Sequence, residues 1–181
     1  DGEMEILPPA DAVIDPKQKG CSYPFPEICG AVMAYKLVQA LYEEFGVSRE
    51  EWLDLLEFAA IATVGDVMKL QDENRIIVKY GLKKLGRTKN VGLRKLAEKT
   101  NLDLNSITAY HIGFVIGPCL NAGGRLQTAK LALSLLLAED ENEAEALAQE
   151  LKDLNDMRKD MTEHWTAEAK VLADTQYRDD R

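Results

Sequence analysis

From Asn142 to Gln176 the sequence contains neither glycine nor proline. Little but a continuous α-helix accommodates so long a stretch without a turn residue. Leu147, Leu151, Leu154, Met161, Trp165 and Leu172 fall on alternating steps of four and three, with Arg158 and Glu168 filling the gaps. That spacing predicts one long helix with a narrow apolar seam. The other positions are mostly charged, so such a helix is only partly covered and suits a strut between two domains. Residues 141–181 are therefore read as a link to a following domain lying beyond Arg181.

The rest of the chain reads as short helices behind an extended entry. Residues 6–10 include Pro8 and Pro9, and a residue before proline is pushed out of the helical region. Ala12, Val13 and Ile14 read as a short strand ended by Asp15-Pro16, and 17–26 as a loop punctuated by Gly20, Pro24 and Pro26. Val32, Tyr35, Val38 and Leu41 predict a helix over about 27–45, stopped by Gly46. Ser48 followed by Glu51 has the form of a capping box for a helix starting at Arg49. The later part of that helix, 58–64, carries no charge, so it is expected to be buried on all sides and to deliver Gly65-Asp66 to the interior or its rim. Further helices are predicted over 73–85 with Asp72 as cap, over 92–99, from Ser106 or Thr108 to an interruption at Pro118, and over 126–137. No repeat or low-complexity stretch is visible.

The net charge is −9, which by itself argues against a polyanionic partner. The average hides a segregation. Between Arg75 and Lys99 nine basic residues face one acid, Glu98, whereas between Glu139 and Arg181 fourteen acids face six bases. The basic run is either a solvated helix face or a surface for a polyanion. Cys21, Cys29 and Cys119 have no metal-type spacing, and their odd, low number fits reduced thiols in a cytoplasm. No apolar run reaches the roughly 18 residues of a membrane span. The acidic start has no signal-peptide core and no initiator Met, so the sequence is expected to begin within a longer one.

Two places can hold chemistry. The first is Thr63-Val64-Gly65-Asp66-Val67, where one aspartate follows an apolar run. A carboxylate there needs a cation or several donors. It is either a hard oxygen ligand for Mg²⁺ or Mn²⁺, or a helix-capping aspartate held by backbone N–H groups. The second is 117–126, read as a turn of small residues between two apolar helices, with a helix starting near Arg125. It is either an anion site of free N–H groups with Arg125 as a bidentate contact, or an ordinary connection in which Arg125 pairs with an acid. His111 and His164 stand alone and are read as a packed and a solvated residue.

Several segments together resemble one family. Leu7-Pro8-Pro9-Ala10-Asp11-Ala12 with Asp15-Pro16, Cys29-Gly30-Ala31 with Tyr35-Lys36-Leu37, Thr63-Val64-Gly65-Asp66-Val67, Asn74-Arg75, Gly113-Phe114, Gly117-Pro118-Cys119-Leu120-Asn121-Ala122-Gly123-Gly124-Arg125-Leu126, and Leu154-Asn155 with Arg158 occur in the order and spacing of RecJ-type exonucleases. These belong to the DHH phosphoesterase superfamily. The resemblance implies an α/β parent, of which this segment is predominantly helical with a short N-terminal strand and a long C-terminal connecting helix. Residues 1–140 would be the C-terminal part of the DHH catalytic domain.

The resemblance also implies Mn²⁺- or Mg²⁺-dependent 5′-to-3′ hydrolysis of single-stranded DNA in repair and recombination. By residue, it implies a metal-ligand and catalytic role for Asp66, a catalytic role for Arg125, and phosphate or DNA contacts for Asn121, Gly123, Gly124 and Arg125. Lys79, Lys83, Lys84 and Arg87 form a candidate DNA-backbone patch. Gly65 stands where alanine is usual, and Cys119 where arginine is frequent, a departure that puts one phosphate contact of the family in doubt. The D-x-D and Asp-His-His motifs do not occur and are expected before Asp1, so this segment alone is expected to be inactive. Other members of the superfamily act on oligonucleotides or cyclic dinucleotides, and a non-catalytic scaffold on the same fold is a further alternative.

Overall fold

A computed structural model describes residues 8–126 and 129–176, without the side chains of residues 125, 126 and 176. Its helices, in chain order, are α1 Gly30–Glu44, α2 Arg49–Asp54, α3 Leu56–Gly65, α4 Asp72–Leu85, α5 Val91–Lys99, a 3₁₀ turn Leu104–Ser106, α6 Ala109–His111, a π turn Ile112–Ile116, α7 Gly117–Leu126, α8 Lys130–Leu137 and α9 Glu141–Gln176. The segment is predominantly helical, and the described residues contain no strand. Ala12, Val13 and Ile14 run as irregular backbone, a correction to the predicted N-terminal strand. A strand needs a neighbour to complete its hydrogen bonds, and no described segment supplies one.

The chain forms two compact units, Asp1–Lys89 with Leu102–Gly117, and Asn90–Asn101 with Pro118–Arg181. In the first, Ile28, Cys29, Val32, Leu56, Ala59, Ala60 and Ile77 make a core from α1, α3, α4 and the segment before α1. The charge-free run of α3 is central to it, with Ala59, Ala60, Ile61 and Thr63 all buried. Close packing of α3 on α4 depends on Gly81, where a Cβ would stand 2.3 Å from the Ala60 Cβ and 2.8 Å from the Leu56 carbonyl oxygen.

In the second unit, α5 and α8 pack on the first half of α9, burying Leu93, Leu96, Leu135, Ala144, Ala148, Leu151 and Leu154. Asn90 caps α5 by accepting the Leu93 N–H at 2.8 Å, and its amide donates to the Leu136 carbonyl at 2.8 Å. The apolar seam predicted on α9 is covered only as far as Leu154. Met161, Trp165 and Leu172 are exposed.

Three local readings change. Ser48 stands at the start of α2 but its side chain accepts no backbone N–H; its hydroxyl donates to the Glu51 carboxylate at 3.2 Å. Asp72 is not a cap but the first residue of α4, with Gln71 before it. Most consequentially, 117–126 is a helix rather than a turn. The chain passes Pro118 because Ile112–Ile116 forms a π turn in which the Gly117 N–H bonds to the Ile112 carbonyl. The wider turn accommodates the approach to a proline that has no N–H to offer. Gly117 is needed there, since a Cβ would lie 2.9 Å from the Ile112 oxygen.

Candidate functional site

Asp66 is delivered by the end of α3. The Val67 N–H donates to the Val64 carbonyl at 3.1 Å and the Met68 N–H to the Thr63 carbonyl at 3.0 Å. These two bonds define a Schellman ending, whose left-handed position is usually glycine. Here it is Val67, at φ 55° and 87% exposed. The motif is anchored from inside, because Met68 packs against the core and the Thr63 hydroxyl donates to the Ala59 carbonyl at 2.7 Å.

Asp66 is thus at the C-terminal end of a helix, with its side chain on the exposed rim. That removes the capping alternative, which requires N–H groups at a helix start. A carboxylate at the negative end of a helix dipole is electrostatically unfavourable. Among the described residues none gives the Asp66 carboxylate a hydrogen bond or an ion pair. Asp66 lines a cleft of about 760 Å³ together with Asp15, Glu27, Cys29, Met33 and Met68. Asp15 and Glu27 are acidic neighbours that the sequence did not single out. In the sequence Asp15 reads as a strand terminator, and Glu27 carries no signal of a site. Lys17 sits 3.9 Å from Glu27. Oxygen donors of this kind fit a hard divalent cation, but three or more His, Cys, Asp or Glu side chains do not converge on one point among the described residues.

The other predicted positions are distributed differently. Asn121 is exposed on α7, Gly123 is buried and Gly124 is exposed. Their N–H groups lie within a helix that ends at Leu126, so the predicted anion cradle at a helix start near Arg125 is not formed. Asn121 and Arg125 stand one turn apart along α7; the Arg125 side chain is outside the described residues, as are residues 6–7 of the predicted extended entry, residues 127–128 of the predicted 126–137 helix, and residues 177–181. Cys119 is buried, and burial pushes its thiol above the usual range.

The basic run divides in two. In the second unit Arg94 and Lys95 pair with Glu141 at 2.7 and 2.9 Å, and Lys99 with Glu145 at 2.6 Å. In the first, Lys84 and Lys89 both hold Asp54, at 2.7 and 2.9 Å, and keep its carboxyl below the usual range. Lys83, Lys84 and Arg87 line a groove with Tyr35, Ile76 and Tyr80, and Lys79 and Lys83 lie over the Tyr80 ring at 5.9 and 5.2 Å. His111, read as a packed residue, is half-buried and accepts the Thr108 N–H at the start of α6.

Comparison with known proteins defines the class first. No family model matches. The single-stranded-DNA-specific exonuclease RecJ of Bacillus subtilis is 41% identical over 170 residues, 94% of this chain and 21% of that protein. The Escherichia coli exonuclease of the same name is 33% identical over 180 residues, 94% of this chain and 31% of that protein. Among solved structures, Thermus thermophilus RecJ in complex with Mn²⁺ matches with a TM-score of 0.75 at 36% identity, over 84% of this chain and 23% of that one. An exonuclease RecJ bound to manganese matches with a TM-score of 0.75 at 35% identity. In sequence and in fold the chain is therefore similar to one segment of the RecJ-type exonucleases.

The chain belongs to the RecJ family as one segment of it, spanning about a fifth to a third of the relatives it matches. No helix among the described residues is long and apolar enough to cross a membrane.

Proposed function

We propose that the protein containing this segment is a metal-dependent exonuclease that degrades single-stranded DNA from the 5′ end, in repair and recombination and in the cytoplasm. Asp66 is one oxygen ligand of its Mn²⁺ or Mg²⁺ site. Residues 1–140 are part of the catalytic domain, and 141–181, of which Glu141–Gln176 is helical, lead to the next. The observation that carries this reading is the placement of Asp66. It occupies a helix end that disfavours its charge, beside a valine in a backbone region that disfavours valine, in a cleft with Asp15 and Glu27. Two adjacent local costs, with the Asp66 carboxylate itself unpartnered among the described residues, fit a ligand site.

A divalent cation held by Asp66 and ligands from the rest of the protein would supply a nucleophilic hydroxide at neutral pH and charge neutralisation at the phosphoryl oxygens. The contribution of this chain is to hold Asp66 at the cleft rim from a rigid helix. Asn121, Gly124 and Arg125 then contact phosphate from a helix face, with Gly123 buried beside them, and Lys79, Lys83, Lys84 and Arg87 contact the DNA backbone. In the full-length protein, Asp66→Ala is expected to reduce Mn²⁺-dependent release of nucleotides from a 5′-labelled single strand by at least about 10²–10³-fold, with affinity for the strand little changed. Cleavage at the wild-type rate by that variant rules out Asp66 as a ligand.

A further inference from the structure

The backbone after α3 is held against its own preferences. Val67 has φ 55°, and five residues later Asp72 has φ 40°. A β-branched residue in the left-handed region brings its Cβ against its own backbone, so the conformation persists only where the surroundings impose it.

Besides Met68 and Thr63, one buried side chain holds the connection after α3. Asn74, in the first turn of α4, is fully buried. Its amide nitrogen donates to the Lys69 carbonyl at 3.0 Å and to the Glu27 carbonyl at 2.7 Å. Both partners are acceptors, so the amide has only one workable orientation. Lys69 belongs to the connection that begins with Asp66, and Glu27 lines the same cleft as Asp66. A single amide therefore ties the connection that carries Asp66 to the Glu27 segment. Its own oxygen is buried with no partner among the described residues. A core chosen for stability alone would avoid such an orphan acceptor, because an apolar side chain leaves nothing unsatisfied.

We infer that Asn74 is a positioning residue for Asp66: its two donated bonds hold the 66–72 connection against the Glu27 segment and fix the carboxylate before the cation arrives. The inference rests on the reading of Asp66 as a ligand. A pre-set ligand loses no ordering entropy on binding, so loosening it weakens metal affinity while the rest of the molecule stays intact.

The test uses the full-length protein and Mn²⁺ alone, titrated by the electron paramagnetic resonance of the free ion, with thermal unfolding and metal-free binding of a single-stranded oligonucleotide measured in parallel. Asn74→Leu is expected to weaken Mn²⁺ binding about 10–100-fold, to leave metal-free DNA affinity unchanged, and to recover most of its cleavage rate at saturating Mn²⁺. A lowered Tm with unchanged Mn²⁺ affinity overturns the inference, since that is what a merely structural amide would show. Should Asn74→Leu fail to fold, Asn74→Ser serves instead: its single short hydroxyl cannot keep both donated bonds, and it is expected to weaken Mn²⁺ binding several-fold; unchanged affinity overturns the inference. Asp66→Ala separates the two levels. If it leaves Mn²⁺ binding intact, the ligand reading fails and the role of Asn74 falls with it. If it weakens binding and Asn74→Leu does not, only the positioning role fails.

Discussion

Glu57 shows how a single side chain couples burial to pH. It lies in the first turn of α3, 5% exposed, with its carboxylate accepting the Thr88 hydroxyl at 2.7 Å. Burial raises its pKa above the ordinary value; the Thr88 bond lowers it, and neighbouring Asp54 raises it further. A raised pKa in the folded state means that folding favours the protonated acid. Its contribution to stability is complete below the unfolded carboxyl value, about 4.3. It declines as pH rises from there through the raised folded value, and is level above it. Glu57→Gln keeps the shape and an acceptor for Thr88 while removing the charge. Urea unfolding across pH 4 to 8 is expected to show the variant gaining on the wild type as pH rises. A parallel pair of curves means that Glu57 keeps an ordinary pKa. Asp66 and Val67 belong to the same scale. Their residue types were plain in the sequence, but the left-handed backbone at Val67 and the C-terminal placement of Asp66 were not, because a Schellman ending without glycine has no sequence signature.

At the scale of elements, two glycines decide how closely helices approach. Gly92, in the first turn of α5, is so near α8 that a Cβ would stand 2.0 Å from the Leu135 carbonyl oxygen, a backbone atom that cannot swing aside. Gly92→Ala is expected to destabilise the second unit by about 1–3 kcal/mol through overpacking, measured as a shift of the urea midpoint with unchanged slope. A midpoint at the wild-type value means that α5 can slide along α8. The opposite lesson comes from Pro118. Proline was expected to break or end a helix, and it follows a π turn inside one, because Gly117 lets the backbone close on the Ile112 carbonyl. Small residues at 117, 122, 123 and 124 were read as a turn, whereas Ala122 and Gly123 are buried within α7. Composition alone does not separate a loop from a tightly packed helix.

For the molecule as a whole, the segregated charge resolves inside each unit. The acidic start of α9 faces Arg94, Lys95 and Lys99 of α5, and Asp54 takes up Lys84 and Lys89. The basic run is thus largely internal pairing, with Lys83 and Arg87 remaining on the Tyr80 groove. Beyond Arg158, α9 has no buried residue among those described, and Trp165 is 62% exposed. Ending this chain after Lys159 is therefore expected to change its unfolding free energy by no more than about 0.5 kcal/mol, the range of ordinary surface changes. Wild-type Trp165 should be open to iodide quenching, whereas buried Trp52 is shielded. A large loss of stability on truncation means that the exposed seam is covered in solution.

Local chemistry decided what the sequence could decide. Helical periodicity, the absence of glycine and proline from 142 to 176, and the charge-free run before Asp66 depend on neighbours a few residues away, and each was legible. So was the family, because its short motifs keep their order along the chain. Which stretch of α9 is covered, whether residues 12–14 find a strand partner, how Pro118 is accommodated, and which buried amide holds the Asp66 connection all turn on groups distant in sequence. The Asn74 bond to Glu27 spans 47 positions. Only the folded chain brings such pairs within hydrogen-bonding reach, so only tertiary structure could decide them.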